Sequence, residues 1–554
     1  MRFTTSLLSV ALLSAGSGFA SNALAATAPD SGQTQQGLEQ MPLQLPERQA
    51  IDLNLPDTPD DQLTTGGPTL EITSFTFEGN TAIPREELLA LLTDLQGRTA
   101  SLGELQAGAN RITRLYRERG YPLARAYIPA QAVDAGVLKM TILEGRYGQV
   151  RINNQAGLHS NALVPLKVLS PGEAVRAAPL ERSLLLLQDT PGVQTRATLS
   201  PGSQTGTTDL QVDVARGPLL SGSVDADNYG NRFTGEYRLG GTLNLNNPLD
   251  LGDRLSLRAS GSDEDQRYGR VAYQLPLGPW ATQFGVAYSD MDYQLAKDFD
   301  DLDAHGNARI ASVFAIQPLQ RTRDFSLYAQ AQFDDKRLRD DIDLFDSQAN
   351  KRSRVLTLTL NGNSRDGLLG GAINSFALAL SQGSLSLDGA NQQQADDLSA
   401  GTRGQFTKLN PSLVRLQRLT DRFSLYTQLQ GQWANGNLDS SEKLYLGGAY
   451  GVRAYPQGEA SGDQGWLANL ELRYALSDTW QLSSFIDHGQ VRLNKDTWAA
   501  DDNHRSLSGA GVGARWAAHG WQINALAAWK LGNADPQSDV DRSPRVWAQV
   551  VRYF

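Results

Sequence analysis

Trp466-Leu467-Ala468-Asn469-Leu470-Glu471-Leu472-Arg473-Tyr474-Ala475-Leu476 alternates with period two. Successive side chains of an extended chain point to opposite sides. Trp466, Ala468, Leu470, Leu472, Tyr474 and Leu476 therefore share one greasy face, and Leu467, Asn469, Glu471, Arg473 and Ala475 share a largely charged or polar one. Trp521, Ile523, Ala525, Ala527, Trp529 and Leu531 repeat the pattern. The two Trp are eight residues apart. At about 3.3 Å per residue and a tilt near 40°, they bracket roughly 20 Å of membrane height, as aromatic girdles do. Phe423, Leu425, Thr427, Leu429 and Trp433 line up in the same way opposite Tyr426, Gln428, Gln430 and Gln432.

Outward from these stretches, sixteen alternating segments fill 218–554, among them 219–230, 233–246, 324–338, 351–363, 403–418, 465–477, 480–493 and 545–554. A soluble β-sandwich also alternates, so the connections must discriminate. Short ones such as Leu277-Gly278-Pro279, Leu419-Thr420-Asp421 and Ser477-Asp478-Thr479 alternate with long polar ones at 339–350, 387–402, 437–464 and 533–544. Short turns at one end and long loops at the other predict a membrane all-β fold, a 16-stranded antiparallel transmembrane barrel. Closure pairs every backbone group, which a bilayer demands. The terminal Phe554 resembles the signal read by the barrel-insertion machinery; Arg552, two places earlier, departs from the usual apolar choice.

Ahead of the barrel the chain divides into four. Residues 1–25 read as a secretory signal: Arg2, an apolar run too short to span a bilayer, then Ala23-Leu24-Ala25. Residues 26–69 are rich in Gln, Pro, Asp and Thr and read as linker, with Gly37 and Pro42 limiting a short helix at Gln35 to Gln40. Two small α+β units follow, 70–147 and 148–217. In the first, Leu70, Ile72, Phe75 and Phe77 mark a strand, Pro84 opens a helix at its first turn, Leu105 to Tyr116 carries a second helix, and strands cover 123–128 and 137–143. In the second, Leu180, Leu184 and Leu187 form the apolar stripe of a helix, and a last strand covers 209–214.

With 50 basic against 60 acidic residues, no nucleic-acid partner is expected. With no cysteine, disulfides and thiolate metal sites are excluded. The five His are scattered, and no H-E-x-x-H, G-x-S-x-G or P-loop is present, so neither enzymatic activity nor a cofactor is expected.

A sixteen-stranded barrel behind two β-α-α-β-β units resembles a two-partner secretion transporter of the TpsB, ShlB-like type, within the POTRA-barrel superfamily; the small units resemble POTRA domains. Leu180-Glu181-Arg182 with Leu184 and Leu187, then Asp189-Thr190-Pro191-Gly192, resembles the helix and turn of a second POTRA domain. Asp227-Asn228-Tyr229-Gly230 and Asn247-Pro248 resemble the family's first barrel hairpin. In 437–464, Val452-Arg453-Ala454-Tyr455 resembles the VRGY loop motif, with Ala454 where Gly is usual and the tip's tightest turn is therefore in question. Phe485-Ile486-Asp487-His488-Gly489 resembles F-x-D-x-G. Alternation sends Phe485, Asp487 and Gly489 to the lumen and Trp480, Leu482, Ile486 and His488 to the lipid. The resemblance implies that the loop folds back into the lumen, held by one ion pair between Arg453 and Asp487. It also implies, as in some relatives, a candidate pore-plugging helix over 31–41, and an outer-membrane location with the POTRA domains in the periplasm. There Leu180, Arg182, Leu184, Leu187, Asp189 and Gly192 are expected to bind the substrate. The implied partners are a large secreted β-helical exoprotein (an adhesin, a haemolysin or a contact-dependent toxin), outer-membrane lipid, and the barrel-assembly machinery during biogenesis. Outer-membrane protein assembly and a passive channel are the rival functions.

Overall fold

The computed structural model describes residues 28–39, 43, 45, 53–54, 66–278, 280–498, 500 and 502–554; the expected signal segment 1–25 lies outside them. Among the described residues, sixteen antiparallel strands close into a barrel, from Leu220–Asp227 to Arg545–Tyr553. The seam pairs Ser223 with Tyr553 through to Asp227 with Gln549. It is extended by the Phe554 N–H donating to the Gly222 carbonyl at 3.0 Å, and the Gly222 N–H returning the bond at 2.9 Å. Arg552 turns aside to the last hairpin, donating to the His519 carbonyl at 2.8 Å.

The alternation survives in three dimensions. On the strand Gln464–Ala475, Leu470 and Leu472 are 43% and 39% exposed while Asn469 and Glu471 are 5% and 9% exposed. Trp521 and Trp529 both face outward, as do Leu356, Leu358, Leu360, Leu378 and Leu380. A contiguous apolar band of this kind has no place in water and matches a bilayer.

Within the barrel, two expectations change. The connection over 339–350 is mostly strand: Phe325–Ile342 and Ser347–Asp366 run on to a tight turn at 343–346. Their upper ends are polar on both faces, so period two leaves no hydropathy contrast to read. The strand expected from 233 starts at Arg238, because Phe233 turns inward to pack with Met291 and Tyr293.

Helix α1, Ser31–Glu39, lies inside the barrel against strands of its wall. The first small unit contains helices α2, Arg85–Ala90, and α3, Leu102–Glu118. Pro84 is the cap of α2 rather than its first-turn residue. The strand expected through Leu70–Phe77 is two, Thr69–Ile72 and Ser74–Glu78. The first pairs with Arg98–Ser101 and the second runs parallel to Val137–Leu143. Leu88, Leu92, Leu105, Ile112 and Tyr116 form the core between helices and sheet. In the second unit, helix α4, Ala177–Gln188, packs on Val193–Pro201 and Thr207–Arg216. Leu53–Asn54 adds in parallel to the edge of that sheet, Leu53 opposite Ala197 and Asn54 opposite Thr198.

Candidate functional site: loop tip, plug and domain joint

The loop between Phe423–Ala434 and Gln464–Ala475 folds back into the lumen, with its tip against Trp480–Arg492. Arg453 grips Asp487 with three donors. Its backbone N–H and Nε reach Oδ2 at 3.0 and 2.9 Å, and Nη2 reaches Oδ1 at 2.8 Å. The planar guanidinium matches the carboxylate bidentately. Its remaining Nη1 donates to Glu471 Oε2 at 2.7 Å, and Arg473 Nε donates to Glu471 Oε1 at 2.9 Å. Two arginines thus neutralise two carboxylates. The Arg453 guanidinium also lies 3.4 Å from the centre of the Phe485 ring. Asn469 donates to Asp487 Oδ1 and to the Gly451 carbonyl, both at 2.8 Å, while Trp547 Nε1 donates to the Arg453 carbonyl at 2.7 Å.

Val452 and Tyr455 are fully buried beside this cluster, and the Tyr455 hydroxyl donates to the Ala534 carbonyl at 3.0 Å. A Cβ on Gly489 would stand 2.8 Å from the Leu446 side chain and 3.1 Å from the Trp466 carbonyl oxygen, so the bare glycine lets the loop reach the wall. Ala454 is accommodated because Gly509 lies opposite: a Cβ there would come within 2.6 Å of the Ala454 Cβ. The tip therefore closes without the usual glycine. Glu471, Asn469 and Trp547 escaped assignment from sequence, although Asn469 and Glu471 stand on the polar face of the opening stretch.

The expectation of a loop held by one ion pair is corrected. Glu442 is bridged by Lys336 and Lys408, each at 2.7 Å, and Lys443 reaches Asp463 at 3.2 Å. Glu459 takes Arg505 Nη2 at 2.5 Å and Ser538 Oγ at 2.7 Å. Several buried pairs anchor the base of the loop, separately from its tip.

Helix α1 rests on that base. Asp30 caps it, its Oδ1 accepting from the Gln33 N–H at 2.9 Å. Lys351 Nζ then sits 3.0 Å from both Asp30 and Asp439, joining plug, loop and wall through one ammonium. The Ser31 N–H donates to Asp340 Oδ1 at 2.7 Å, and Gln36 Nε2 to the Lys443 carbonyl at 2.8 Å. A Cβ on Gly32 would meet the Ser441 Cβ at 2.8 Å, so the helix lies flush on the loop. Between the loop tip and the first and last strands remains a cavity of about 810 Å³, whose mixed lining includes Asp225, Arg258, Arg473, Arg515, Asn524 and Gln549.

Two comparisons decide the family. The model for the haemolysin secretion/activation proteins ShlB/FhaC/HecB matches residues 206–516, and the ShlB-type POTRA domain model matches 70–145. The chain belongs to the ShlB/FhaC/HecB family. It is an outer-membrane two-partner secretion transporter with periplasmic POTRA domains. The heme/hemopexin transporter HuxB of Haemophilus influenzae is 28% identical over 486 residues, 86% of this chain and 85% of that protein. The outer membrane transporter CdiB of Dickeya dadantii is 26% identical over 501 residues, 84% of each chain. The structure of CdiB from Escherichia coli superposes with a TM-score of 0.71 at 21% identity, over 95% of this chain and 96% of that one.

In this secretion transporter the second POTRA domain is joined firmly to the barrel. Leu180, Leu184 and Leu187 lie in the domain's own core. Arg182 donates to the Pro318 and Leu319 carbonyls, at a bulge near the periplasmic end of the barrel strand Ala304–Arg321, at 2.8 and 3.1 Å. Asp189 pairs bidentately with Arg321, at 2.7 and 2.9 Å. Gly192 abuts Asn246. All six residues thus take part in packing or docking, the three leucines buried and Asp189 still exposed.

Proposed function

We propose that the transporter captures a large exoprotein in the periplasm through POTRA sheet edges. The exoprotein then passes through the lumen after helix α1, and then the loop tip, give way. The observation that carries this reading is the stacking of two inserts, helix α1 and the folded-back loop, in one lumen. The base of the loop has multiple buried ion pairs, whereas α1 has a polar seat in which, among the described residues, neither side-chain amide atom of Gln35 has a hydrogen-bond partner. An unpaired buried polar group costs about 1–3 kcal/mol, which makes α1 the first insert to leave.

Capture follows from the edge at Val193–Pro201. It already accepts Leu53–Asn54 as an added strand, so its backbone groups stand in register for a peptide. An exported segment would take the place of these two linker residues. Transport requires no nucleotide in this reading, because the exported chain folding at the surface prevents its return. The relatives' names, a heme/hemopexin transporter and a hemolysin transporter, support a secreted protein as the cargo.

The test has two parts. In a deletion strain, loss of one large surface protein supports secretion. Loss of many barrel proteins points instead to assembly, and loss of neither to a channel. In the complemented strain, Arg453→Ala and Asp487→Ala each lower secretion while the barrel still inserts; wild-type secretion from both would refute the latch.

A further inference from the structure

The strands that outrun the expected loop carry a feature that neither the latch nor the plug uses. On the outer face, Val313, Phe333 and Leu356 stand opposite one another on three neighbouring strands and form the top of the apolar band there. One outward step higher, Asp335 faces Arg354. The next step brings Arg309, Arg337 and Arg352 directly opposite one another. Arg339 lies one step beyond. Like charges at directly opposed positions on adjacent strands destabilise a sheet.

Partial relief comes from within. Arg352 binds Asp335, at 2.8 Å from Nε, Arg339 binds Asp341 at 2.6 Å, and Arg309 lies 3.5 Å from Asp290. Five guanidiniums thus face three carboxylates. Arg337, in the middle of the row, and Arg354 are exposed and make no hydrogen bond or ion pair among the described residues.

Height selects the ligand. Arg309 stands twelve residues from the periplasmic end of its strand at Arg321. At about 3.3 Å per residue and a tilt near 40°, that is roughly 30 Å, just past a band about 25 Å tall. Measured from Leu356, Arg354 is about 5 Å higher and Arg352 about 10 Å higher. This is the headgroup layer of the outer leaflet rather than open solvent.

We propose that Arg337 and Arg354, flanked by Arg309, Arg339 and Arg352, bind the phosphate groups of an outer-leaflet glycolipid of the lipopolysaccharide class. Guanidiniums bind phosphate in a planar fork, and a phosphate over Arg337 would offset the repulsion along the row. The acyl chains would descend along Phe333, Leu356 and Leu358. The bound lipid would brace the hairpin that holds Lys336 and Lys351, the two lumen-facing lysines that grip loop and plug.

Native mass spectrometry of the full chain in detergent tests this, with bisphosphorylated lipid A, dephosphorylated lipid A and inorganic phosphate as probes. The wild type is expected to retain bisphosphorylated lipid A over the dephosphorylated form. The double variant Arg337→Gln/Arg354→Gln should lose about thirtyfold in retention, and Arg422→Gln, at a periplasmic turn, nothing. A heat-shifted gel band confirms that each variant is folded. Equal retention of the two lipid A forms by the wild type overturns the proposal whatever the variants do. So does full displacement of the lipid by millimolar inorganic phosphate, which would mark a free-phosphate site. Undiminished retention by the folded double variant overturns it as well.

Discussion

Arg453 spends its donors unequally. Three go to Asp487 and one to Glu471, and Asp487 is fully buried while Glu471 shares its charge with Arg473. Breaking one side of a buried pair costs about 3–5 kcal/mol, and less where a second cation remains. Asp487→Asn is therefore expected to reduce exoprotein release about tenfold or more, and Glu471→Gln only a few-fold, assayed in the medium against equal amounts of inserted barrel. Glu104 is a second case at a single side chain. The Ser101 N–H and hydroxyl, then Arg98, hold its carboxyl at about 2 instead of 4.5. A depressed carboxylate contributes stability above its unfolded value and loses it as pH falls through the folded one. Hydrogen-exchange protection of α3 should fall between pH 4.5 and about 2 in the wild type, and Glu104→Gln should lack that added fall. Asp487 could be assigned from sequence because alternation and a motif coincide on it. Glu471 shows only that it faces the lumen, since its partner lies eighteen residues away across a loop.

Helix α1 illustrates how an element can be poorly legible. It has no apolar stripe, Gly37 weakens it, and its seat is made by residues some 300 to 400 positions away. Most helical stability in proteins comes from tertiary packing rather than propensity. The remaining local sign was Asp30 three residues before Gln33, a capping pattern. Replacing Lys351 by Met removes the cation between Asp30 and Asp439 and leaves their carboxylates to repel. Conductance in planar bilayers should rise toward that of a chain lacking 29–39, and the two changes together should not add. A misaddition here would separate the plug from the pore. The joint between the second POTRA domain and the barrel makes a parallel case. Arg321→Ala removes the bidentate contact that docks Asp189 on the barrel and should raise protease cleavage within 148–217 several-fold while the barrel stays resistant.

Taken whole, the molecule is a wet cylinder in an oily band. Its closure leaves no strand edge exposed to lipid. The protein should remain in detergent and migrate faster unboiled than boiled; a monomer stable in plain buffer would remove the basis for everything above. Inside it, an apolar cluster around Leu446, Val452, Tyr455 and Phe485 packs the loop tip, and charged pairs hold the loop base and the plug, so stability against opening depends on ion pairs as well as on apolar packing.

The barrel, its strand count, its two periplasmic units and the lumenal facing of Asp487 were all legible locally. Each rests on a period of two, a turn length or a short motif, and these are properties of neighbouring residues. The position of α1, the multiple anchors of the loop, the second carboxylate on Arg453 and the row of outward arginines appear only after folding. They are meetings between distant residues, or charges set side by side by strand register. No local pattern encodes such meetings, because the free energy that selects them is shared among chain segments that the sequence keeps apart.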